Sequence, residues 1–211
     1  MKRKSVILIT SMLILLCTVV KAQTKPVQTI FKNDLESGGF GALTNKFTFI
    51  RGEYVNLTGI YGGWYVNHSF MIGVGASAQT SNLYVPLEHS VDPLRQLSYE
   101  YGQVGLVTEY VVKSNKPVHI AFNLFSGAGF TLQYDRYGYH NNNQNWQDEA
   151  RDENWFFVLE PGAQVELNLL KWMRFCPGIS YRATFGSDGR GVTDKDLSDI
   201  SYNATLKFGK F

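Results

Sequence analysis

Cysteine is scarce in this chain of 211 residues, which contains only Cys17 and Cys176. Cys17 lies in a leader that we expect to be removed, so the mature protein would keep one cysteine and no internal disulfide. Small secreted domains often depend on disulfides for their stability. The sequence excludes a scaffold of that kind, so the fold must depend on a packed core or a closed topology.

Basic charge is not in excess once the leader is set aside. The whole chain has 20 Lys plus Arg and 18 Asp plus Glu. Four of the basic residues, Lys2, Arg3, Lys4 and Lys21, lie in the expected leader. The remainder has 16 basic and 18 acidic side chains, a formal charge of −2. A nucleic-acid-binding protein carries a basic surface, so we expect no nucleic-acid partner.

Motifs for catalysis and for cofactor binding are also missing. The sequence has no phosphate-binding loop, no closely spaced pair of cysteines and no His-Glu-x-x-His segment. It has four histidines, and no His-x-Ser pair on one strand face that would favour a nucleophilic site. The acidic residues of the loops lack the ordered spacing of a calcium loop. We therefore predict no cofactor, no metal site and no enzyme activity.

Residues 1–22 have the organisation of a secretory signal peptide. A basic start is followed by an apolar run of 15 residues, Val6 to Val20, shorter than the roughly 20 residues of a transmembrane helix. Val20 and Ala22 then precede a predicted cleavage site before Gln23. An uncleaved anchor is the alternative. We predict a signal peptide over 1–22, a polar tail over 23–37 and a folded domain over 38–211.

From Gly38 onward, hydrophobicity alternates with a period of two rather than with the helical period of 3.6. The longest example alternates from residue 118 to residue 135, well beyond the usual strand length of about 5–6 residues. The pattern predicts an all-β protein of eight strands. Their predicted bounds are 38–50, 53–66, 70–84, 98–112, 118–135, 154–169, 173–186 and 200–211.

The connections between these strands alternate between short and long. Segments 67–69, 113–117 and 170–172 are short, whereas 85–97, 137–153 and 187–199 are long and polar. Only the corner at Arg51 and Gly52 is short where a long loop is expected. An up-and-down meander with one trimmed end and one elaborated end is typical of outer-membrane barrels.

The two faces of the strands differ in a way that suits a membrane barrel. One face of each later strand is apolar, and the other carries charged and amide side chains that would disrupt a conventional core. In a membrane barrel they would form a polar network in the interior. We assign to this network Glu109, Glu160, Gln164, Glu166, Arg174, Arg182 and Lys207.

Aromatic residues gather near the strand ends, where two girdles would mark the membrane interfaces. The predicted girdle residues are Trp64, Tyr65, Tyr99, Tyr110, Tyr134, Trp155, Trp172, Tyr202 and Phe208. Two prolines, Pro161 and Pro177, fall inside predicted strands. Because each precedes a glycine, we expect a β-bulge at each.

The segment from Gly38 to Phe211 resembles the small eight-stranded outer-membrane β-barrels, such as outer membrane protein X and the membrane domain of outer membrane protein A. Its last strand resembles the terminal aromatic strand that the barrel-assembly machinery recognises, with Phe208 and Phe211 as the assembly signal. Glycine at 209 replaces the aromatic residue often found third from the end. The segments Glu160-Pro161-Gly162 and Ser180-Tyr181-Arg182 also resemble an uncharacterised group of secreted barrels.

This resemblance implies a protein of the outer membrane whose partners are membrane lipids, lipopolysaccharide and the assembly machinery. We expect a porin-like architecture, but an eight-stranded barrel filled by side chains is not expected to act as a general diffusion pore. The expected role is structural or interactive, through the long polar loops. Two alternatives remain. One is a soluble lipocalin-like barrel with Phe122, Leu124, Phe157 and Leu159 inside; the other is a lipid-modifying enzyme that uses His89 or His119.

Overall fold

The computed structural model describes residues 37–135 and 150–211. The expected signal peptide, the tail up to residue 36 and residues 137–149 of the predicted loop 137–153 lie outside these residues. Residues 150–153, also predicted as loop, belong to a strand. Within them, the only α-helix is a single turn, and no helix is long and apolar enough to cross a membrane.

Eight long antiparallel strands form a closed barrel, which confirms the predicted fold class. The barrel strands are β1 Ser37–Ile50, β2 Glu53–Val66, β3 Phe70–Gln79, β4 Ser98–Val112, β5 Val118–Tyr134, β6 Ala150–Leu170, β7 Met173–Phe185 and β10 Asp199–Gly209; β8 and β9 are short strands of the loop after β7. Going around the barrel, the order is β1-β10-β7-β6-β5-β4-β3-β2. Each barrel strand therefore pairs with the barrel strands before and after it in the chain, and β10 closes on β1.

The third strand is shorter than predicted, because β3 ends at Gln79 and not at residue 84. The Gln79 amide donates hydrogen bonds to the carbonyls of Ser81 and Tyr99, 2.9 and 3.1 Å away, where the chain leaves the sheet. Leu83 and Val85 keep the apolar alternation beyond this point, but they are buried over the mouth of the barrel. A 3-10 helix, Leu87–His89, follows.

The loop between β7 and β10 is also more structured than predicted. It contains a hairpin of β8 Asp188–Gly189 and β9 Val192–Thr193, followed by the single helical turn α1 Asp194–Leu197. The carboxylate of Asp196 accepts hydrogen bonds from the amide and the hydroxyl of Thr193, at 2.9 and 2.6 Å. These bonds begin the turn and bring Leu197, fully buried, onto the barrel mouth.

The bulges expected at Pro161 and Pro177 are absent. The pairing of β6 with β7 stops after Leu159–Ala183 and resumes at Gly162–Ser180 in the same register. Pro177 pairs with Ala204 within an unbroken register. Pro161 lacks a backbone N–H, and the interruption of the β6–β7 pairing at this point accommodates it. The register shifts of the barrel lie elsewhere, between Thr131 and Gln133 and between Asn168 and Leu170.

Side chains alternate between the barrel interior and the outer wall as the period-two pattern predicts. Phe122, Leu124 and Phe157 are 54%, 37% and 47% exposed on the outer wall, and Leu159 shares the outward phase of Phe157. The soluble alternative required these four side chains to point inward, so the structure contradicts that arrangement.

Glycine pairs allow the wall to curve tightly. Gly63 pairs with Gly73 and Gly105 pairs with Gly127, all at inward positions. A Cβ atom on any of the four would collide with the backbone of the facing strand. Such close approach of two backbones is a recognised reason for glycine inside a strand.

Candidate functional site

The barrel interior is organised around Lys207 of β10. Its Nζ atom lies 2.6 and 2.7 Å from the two carboxylate oxygens of Glu109 and also forms an ion pair with Glu166. The Tyr65 hydroxyl donates to Glu109 at 2.5 Å. Gln164 donates to Glu109 at 2.7 Å and to Glu166 at 3.1 Å. Charge-assisted hydrogen bonds compensate for removing these ions from water.

Glu166 also connects this network to the short-turn end of the barrel. Its second carboxylate oxygen lies 2.9 Å from Nε2 of His119 and 2.9 Å from the Arg174 guanidinium. The other ring nitrogen of His119 lies 3.0 Å from the carbonyl of Lys116. Both nitrogens of His119 therefore have partners that hold the ring in place.

A second ionic cluster lies nearer the long loops. The ammonium group of Lys46 on β1 donates to both oxygens of Glu160 on β6, at 2.8 and 2.7 Å. Ser180 and Gln103 donate to the same carboxylate at 2.6 and 3.1 Å. The Tyr101 hydroxyl donates to Gln103 at 2.6 Å. Glu160 thus accepts four hydrogen bonds from three side chains and is 3% exposed.

Arg182 joins the barrel wall to the loop that covers its mouth. The guanidinium is fully buried and donates to the carbonyls of Leu197 in α1 and Phe49 in β1, at 2.6 and 3.0 Å. It also lies 5.0 Å from the centre of the Tyr101 ring. A buried cation held by carbonyl dipoles and an aromatic face positions α1 over the mouth.

Apolar layers lie at both ends of the polar interior. At the long-loop end, buried side chains from the barrel and the loops pack together, and they include Ile50, Leu57, Leu83, Val85, Tyr99, Val192 and Leu197. At the short-turn end, Phe40, Met71, Val111 and Ala121 are buried. Phe211 packs against this lower layer, with its ring 4.0 Å from the guanidinium carbon of Arg174.

A cavity of about 60 Å³ lies between the two ionic clusters. Its lining includes Ser77, Asn123 and Asn203, each with a buried oxygen that has no hydrogen-bond partner within the described residues. A buried water needs two to four polar partners. The cavity is therefore suited to ordered water bound to these oxygens.

The structure places all seven residues of the predicted polar network inside the barrel, with relative exposures of 4% or less. It also adds members that the prediction did not include, above all Lys46 and Tyr101. The alternation of side chains in β1 could have indicated that Lys46 points inward, because it lies two residues from both Thr44 and Thr48 on the inward face. A lone lysine in the first strand gives no indication of which distant carboxylate it meets.

Seven of the nine aromatic residues predicted for the girdles lie on the outer wall of the barrel. Tyr65 and Tyr99 are 1% exposed and point inward, so their assignment to the girdles was wrong. The Tyr99 hydroxyl donates to the carbonyl of Arg190 at 2.6 Å, and Tyr65 binds Glu109. Both lie at strand ends, but their phase is that of the interior. The outward aromatic residues are Trp64, Tyr110, Tyr134, Trp155, Trp172, Tyr202 and Phe208.

The acidic loop residues that the structure describes form local hydrogen bonds. Asp194 accepts from the amides of Gly186 and Ser187, at 3.0 and 2.7 Å. Partial burial opposes ionisation of Asp196, but the bonds from Thr193 outweigh it and lower the pKa of that carboxyl. No group of three or more His, Cys, Asp or Glu side chains in the described parts of the chain is arranged to hold a metal ion.

A closed barrel of eight antiparallel strands, with a charged interior and an apolar wall, is the architecture of the small outer-membrane β-barrels. Neisserial surface protein A (NspA) has a similar structure, with a TM-score of 0.57 and 10% identity over 83% of this chain and 97% of that chain. The likeness to NspA shows the fold and no more.

Two further solved structures have lower scores. The N-terminal β-barrel domain of Pseudomonas aeruginosa OprF has a TM-score of 0.49 and 8% identity, over 83% of this chain and 98% of that chain. Ail, the attachment invasion locus protein of Yersinia pestis, has a TM-score of 0.46 and 12% identity over the same shares. No protein-family model matches the chain, and no curated protein matches it.

Proposed function

We propose that this protein spans the outer membrane as a sealed barrel and acts as a rigid scaffold that presents its long loops to the outside. The main support for this proposal is that each of the eight barrel strands exposes at least three large apolar side chains on the outer wall. Soluble monomers rarely expose an apolar patch larger than a few hundred Å². Lipid tails would cover such a wall without penalty.

Charge is distributed in agreement with this proposal. Among the outward side chains of the barrel strands that the structure describes, only Glu100 and Glu153 are charged, and both lie near the long-loop end. A charge on the lipid-facing wall of a barrel costs about 2–4 kcal/mol at the midplane and much less near the interface. Outer-membrane barrels have short periplasmic turns and longer extracellular loops, so the long loops of this barrel would face the outside of the cell.

A role in passive diffusion is not supported by the interior. The ionic clusters span the barrel and the apolar layers at Tyr99 and Phe40 close it above and below. We propose a structural or surface-interaction role, such as membrane integrity, adhesion or contact with other envelope components. Lipopolysaccharide would be the neighbour of the loops in the outer leaflet.

A catalytic role is not part of the proposal. His119 lies between a carbonyl and a carboxylate that also binds Arg174 and Lys207. On the loop, the ring of His89 faces Glu88 at 3.5 Å. An activated serine would need a histidine within hydrogen-bond reach. The ring contacts of His119 instead suit a structural role.

The test compares two leucine-to-lysine variants after refolding into lipid vesicles. Leu106 is 55% exposed in the middle of the β4 wall, and Leu94 is 97% exposed in the loop before β4. If the barrel spans the membrane, Leu106→Lys should lower the free energy of unfolding by about 2–4 kcal/mol, and Leu94→Lys should change it by less than about 0.5 kcal/mol. Equal, small effects of the two variants would contradict membrane insertion.

Fractionation gives an independent check. The mature protein should stay in outer-membrane pellets after an alkaline wash, and unboiled samples should migrate differently from boiled ones on SDS gels. A closed barrel has no unpaired strand edge from which detergent can unfold it. Release into the soluble fraction without a mobility shift would contradict the proposal.

A further inference from the structure

Four exposed lysines lie at the short-turn end of the barrel. Lys113 and Lys116 lie in the turn between β4 and β5, Lys171 in the turn between β6 and β7, and Lys210 directly after β10. The described residues of these turns and of the β2–β3 turn contain no aspartate or glutamate. We refer to these four residues as the lysine rim.

The opposite end of the barrel carries the opposite charge. Residues 51–53, 80–100, 135, 152–153 and 186–199 together hold eleven acidic and four basic side chains. The net charges of the described residues at the two ends of the barrel therefore have opposite signs, although the chain as a whole is close to neutral. A random distribution of exposed charge would place both signs at each end, so the lysine rim points to a partner with negative charge.

Apolar side chains lie directly beside the lysine rim. Lys113 follows Val112, which is 37% exposed on the outer wall, and Lys171 lies between Leu170 and Trp172, which are 48% and 54% exposed. Phe208 stacks against Trp172, with ring centroids 6.2 Å apart. Cationic groups at the edge of an apolar wall match a molecule with a phosphate group next to hydrocarbon. Lysine stems can lie along such a wall while the ammonium reaches the interface.

The distribution of the lysines around the barrel favours lipids over a protein partner. In the barrel order they occupy the ends of β10, of β7 and β6, and of β5 and β4, which covers more than half of the circumference. A docked acidic protein would favour charges gathered on one side. Lipids surround the whole wall and would meet every lysine.

We propose that the lysine rim binds the phosphate groups of anionic phospholipids in the leaflet that surrounds the short turns. The inference rests on the proposed membrane-spanning function and adds a lipid class to it. Each lysine near an anionic membrane surface contributes about 1 kcal/mol, which corresponds to roughly a fivefold preference. The interaction fixes which end of the barrel lies in the phospholipid leaflet and how deep the wall sits.

Quenching of tryptophan fluorescence by brominated lipids tests this proposal at one end of the barrel at a time. The chain has four tryptophans. A variant with Trp64→Phe, Trp146→Phe and Trp155→Phe keeps only Trp172, beside Lys171. A second variant with Trp64→Phe, Trp146→Phe and Trp172→Phe keeps only Trp155, which is 60% exposed near the long loops. Each is refolded into vesicles that contain brominated phosphatidylglycerol or brominated phosphatidylcholine among unlabelled lipid.

We expect the anionic lipid to associate at Trp172 roughly fivefold more strongly than the zwitterionic lipid, and to lose much of this preference in 0.5 M salt because surface charges are screened. Trp155 should show no such preference. In the Trp172 variant, replacing the four lysines by glutamine should remove the preference, and replacing them by arginine should retain it.

Equal quenching of Trp172 by both lipids would overturn the lipid assignment in favour of an acidic protein partner. An equal preference for the anionic lipid at Trp155 would show that the preference is not specific to the lysine rim. A preference for the anionic lipid at Trp172 that survives the glutamine substitutions would show that the four lysines do not cause it. If neither tryptophan is quenched by either lipid, the barrel is not in the bilayer and the proposed function itself fails.

Discussion

Lys207 and Glu109 form an ion pair across the full width of the barrel, with Nζ 2.6 Å from the nearer carboxylate oxygen. β10 and β4 are four places apart in a ring of eight strands, so the two residues come from opposite walls. Both side chains are completely buried. The pair therefore links the two halves of the closed sheet directly through the interior.

Removing the lysine should destabilise the barrel strongly. Lys207→Met leaves Glu109 and Glu166 buried with no ammonium between them, and breaking a buried pair in this way costs about 3–5 kcal/mol. The measurement is urea-induced unfolding from lipid vesicles. Lys210→Met removes an exposed lysine three residues away and should change the free energy of unfolding by less than about 0.5 kcal/mol.

A rescue experiment separates charge from packing in the same network. Combining Lys207→Met with Glu109→Gln removes the uncompensated carboxylate of Glu109, whereas Glu166 keeps Arg174 as an ionic partner, so we expect the double variant to recover part of the loss. A double variant as unstable as Lys207→Met alone would show that the lost volume and hydrogen bonds, not the buried charge, cause the effect.

The two phenylalanines of the last strand should differ in their effect on stability. Phe211 packs inside the short-turn end against Phe40, Tyr65 and Arg174, whereas Phe208 lies half-buried on the outer wall. We expect Phe211→Ala to lower the free energy of unfolding of the refolded protein by about 1–3 kcal/mol, and Phe208→Ala to lower it less. Urea titration of both variants in vesicles measures the difference.

The predicted role of these residues as an assembly signal requires a separate measurement in cells. If Phe208 acts in recognition by the assembly machinery, Phe208→Ala should reduce the amount of barrel in the outer membrane more than its effect on purified stability explains. Proportional losses in both measurements would contradict a recognition role for Phe208.

The barrel should not conduct ions in a planar bilayer. The ionic clusters are cross-linked by hydrogen bonds, and buried apolar side chains lie at both ends of the described interior, so we expect no continuous water path through the barrel. We expect no discrete current steps from the purified protein at 100 mV in 1 M KCl, under conditions in which a general porin gives them. Reproducible steps that scale with protein concentration would contradict the sealed interior.

The turn at Thr193 and Asp196 should weaken at acidic pH. The pKa of Asp196 is lowered below its ordinary value of 3.8, so its contribution is fully present above the unfolded pKa and is lost as pH falls through the lower folded pKa. The amide of Thr193 donates to this carboxylate, and its NMR shift should titrate with a midpoint below 3.8. Asp196→Asn should abolish the titration, and a midpoint above 3.8 would contradict the geometry.

Local sequence was sufficient to predict which face of each later strand is polar, and the interpretation as a membrane barrel placed that face inside. Alternation placed Glu160, Gln164 and Glu166 on one face of β6 because successive strand residues point to opposite sides. The same rule explains the errors at Tyr65 and Tyr99, which were assigned to the girdles by their position at strand ends rather than by their phase. The position of a residue in the two-residue alternation indicates whether its side chain is buried, whereas its distance from the strand end does not.

The sequence by itself determined the all-β class, the eight barrel strands and the polarity of their two faces, because these follow from the side-chain period and from loop length. Only the tertiary structure decided that Lys207 meets Glu109 and that Lys46 meets Glu160. Barrel closure brings together strands that are far apart in the chain, and no local pattern encodes which side chains then face one another. Barrel closure also decided that the loop residues Leu83 and Leu197 are buried over the barrel mouth. Only the closed barrel offers these side chains an apolar surface at its long-loop end.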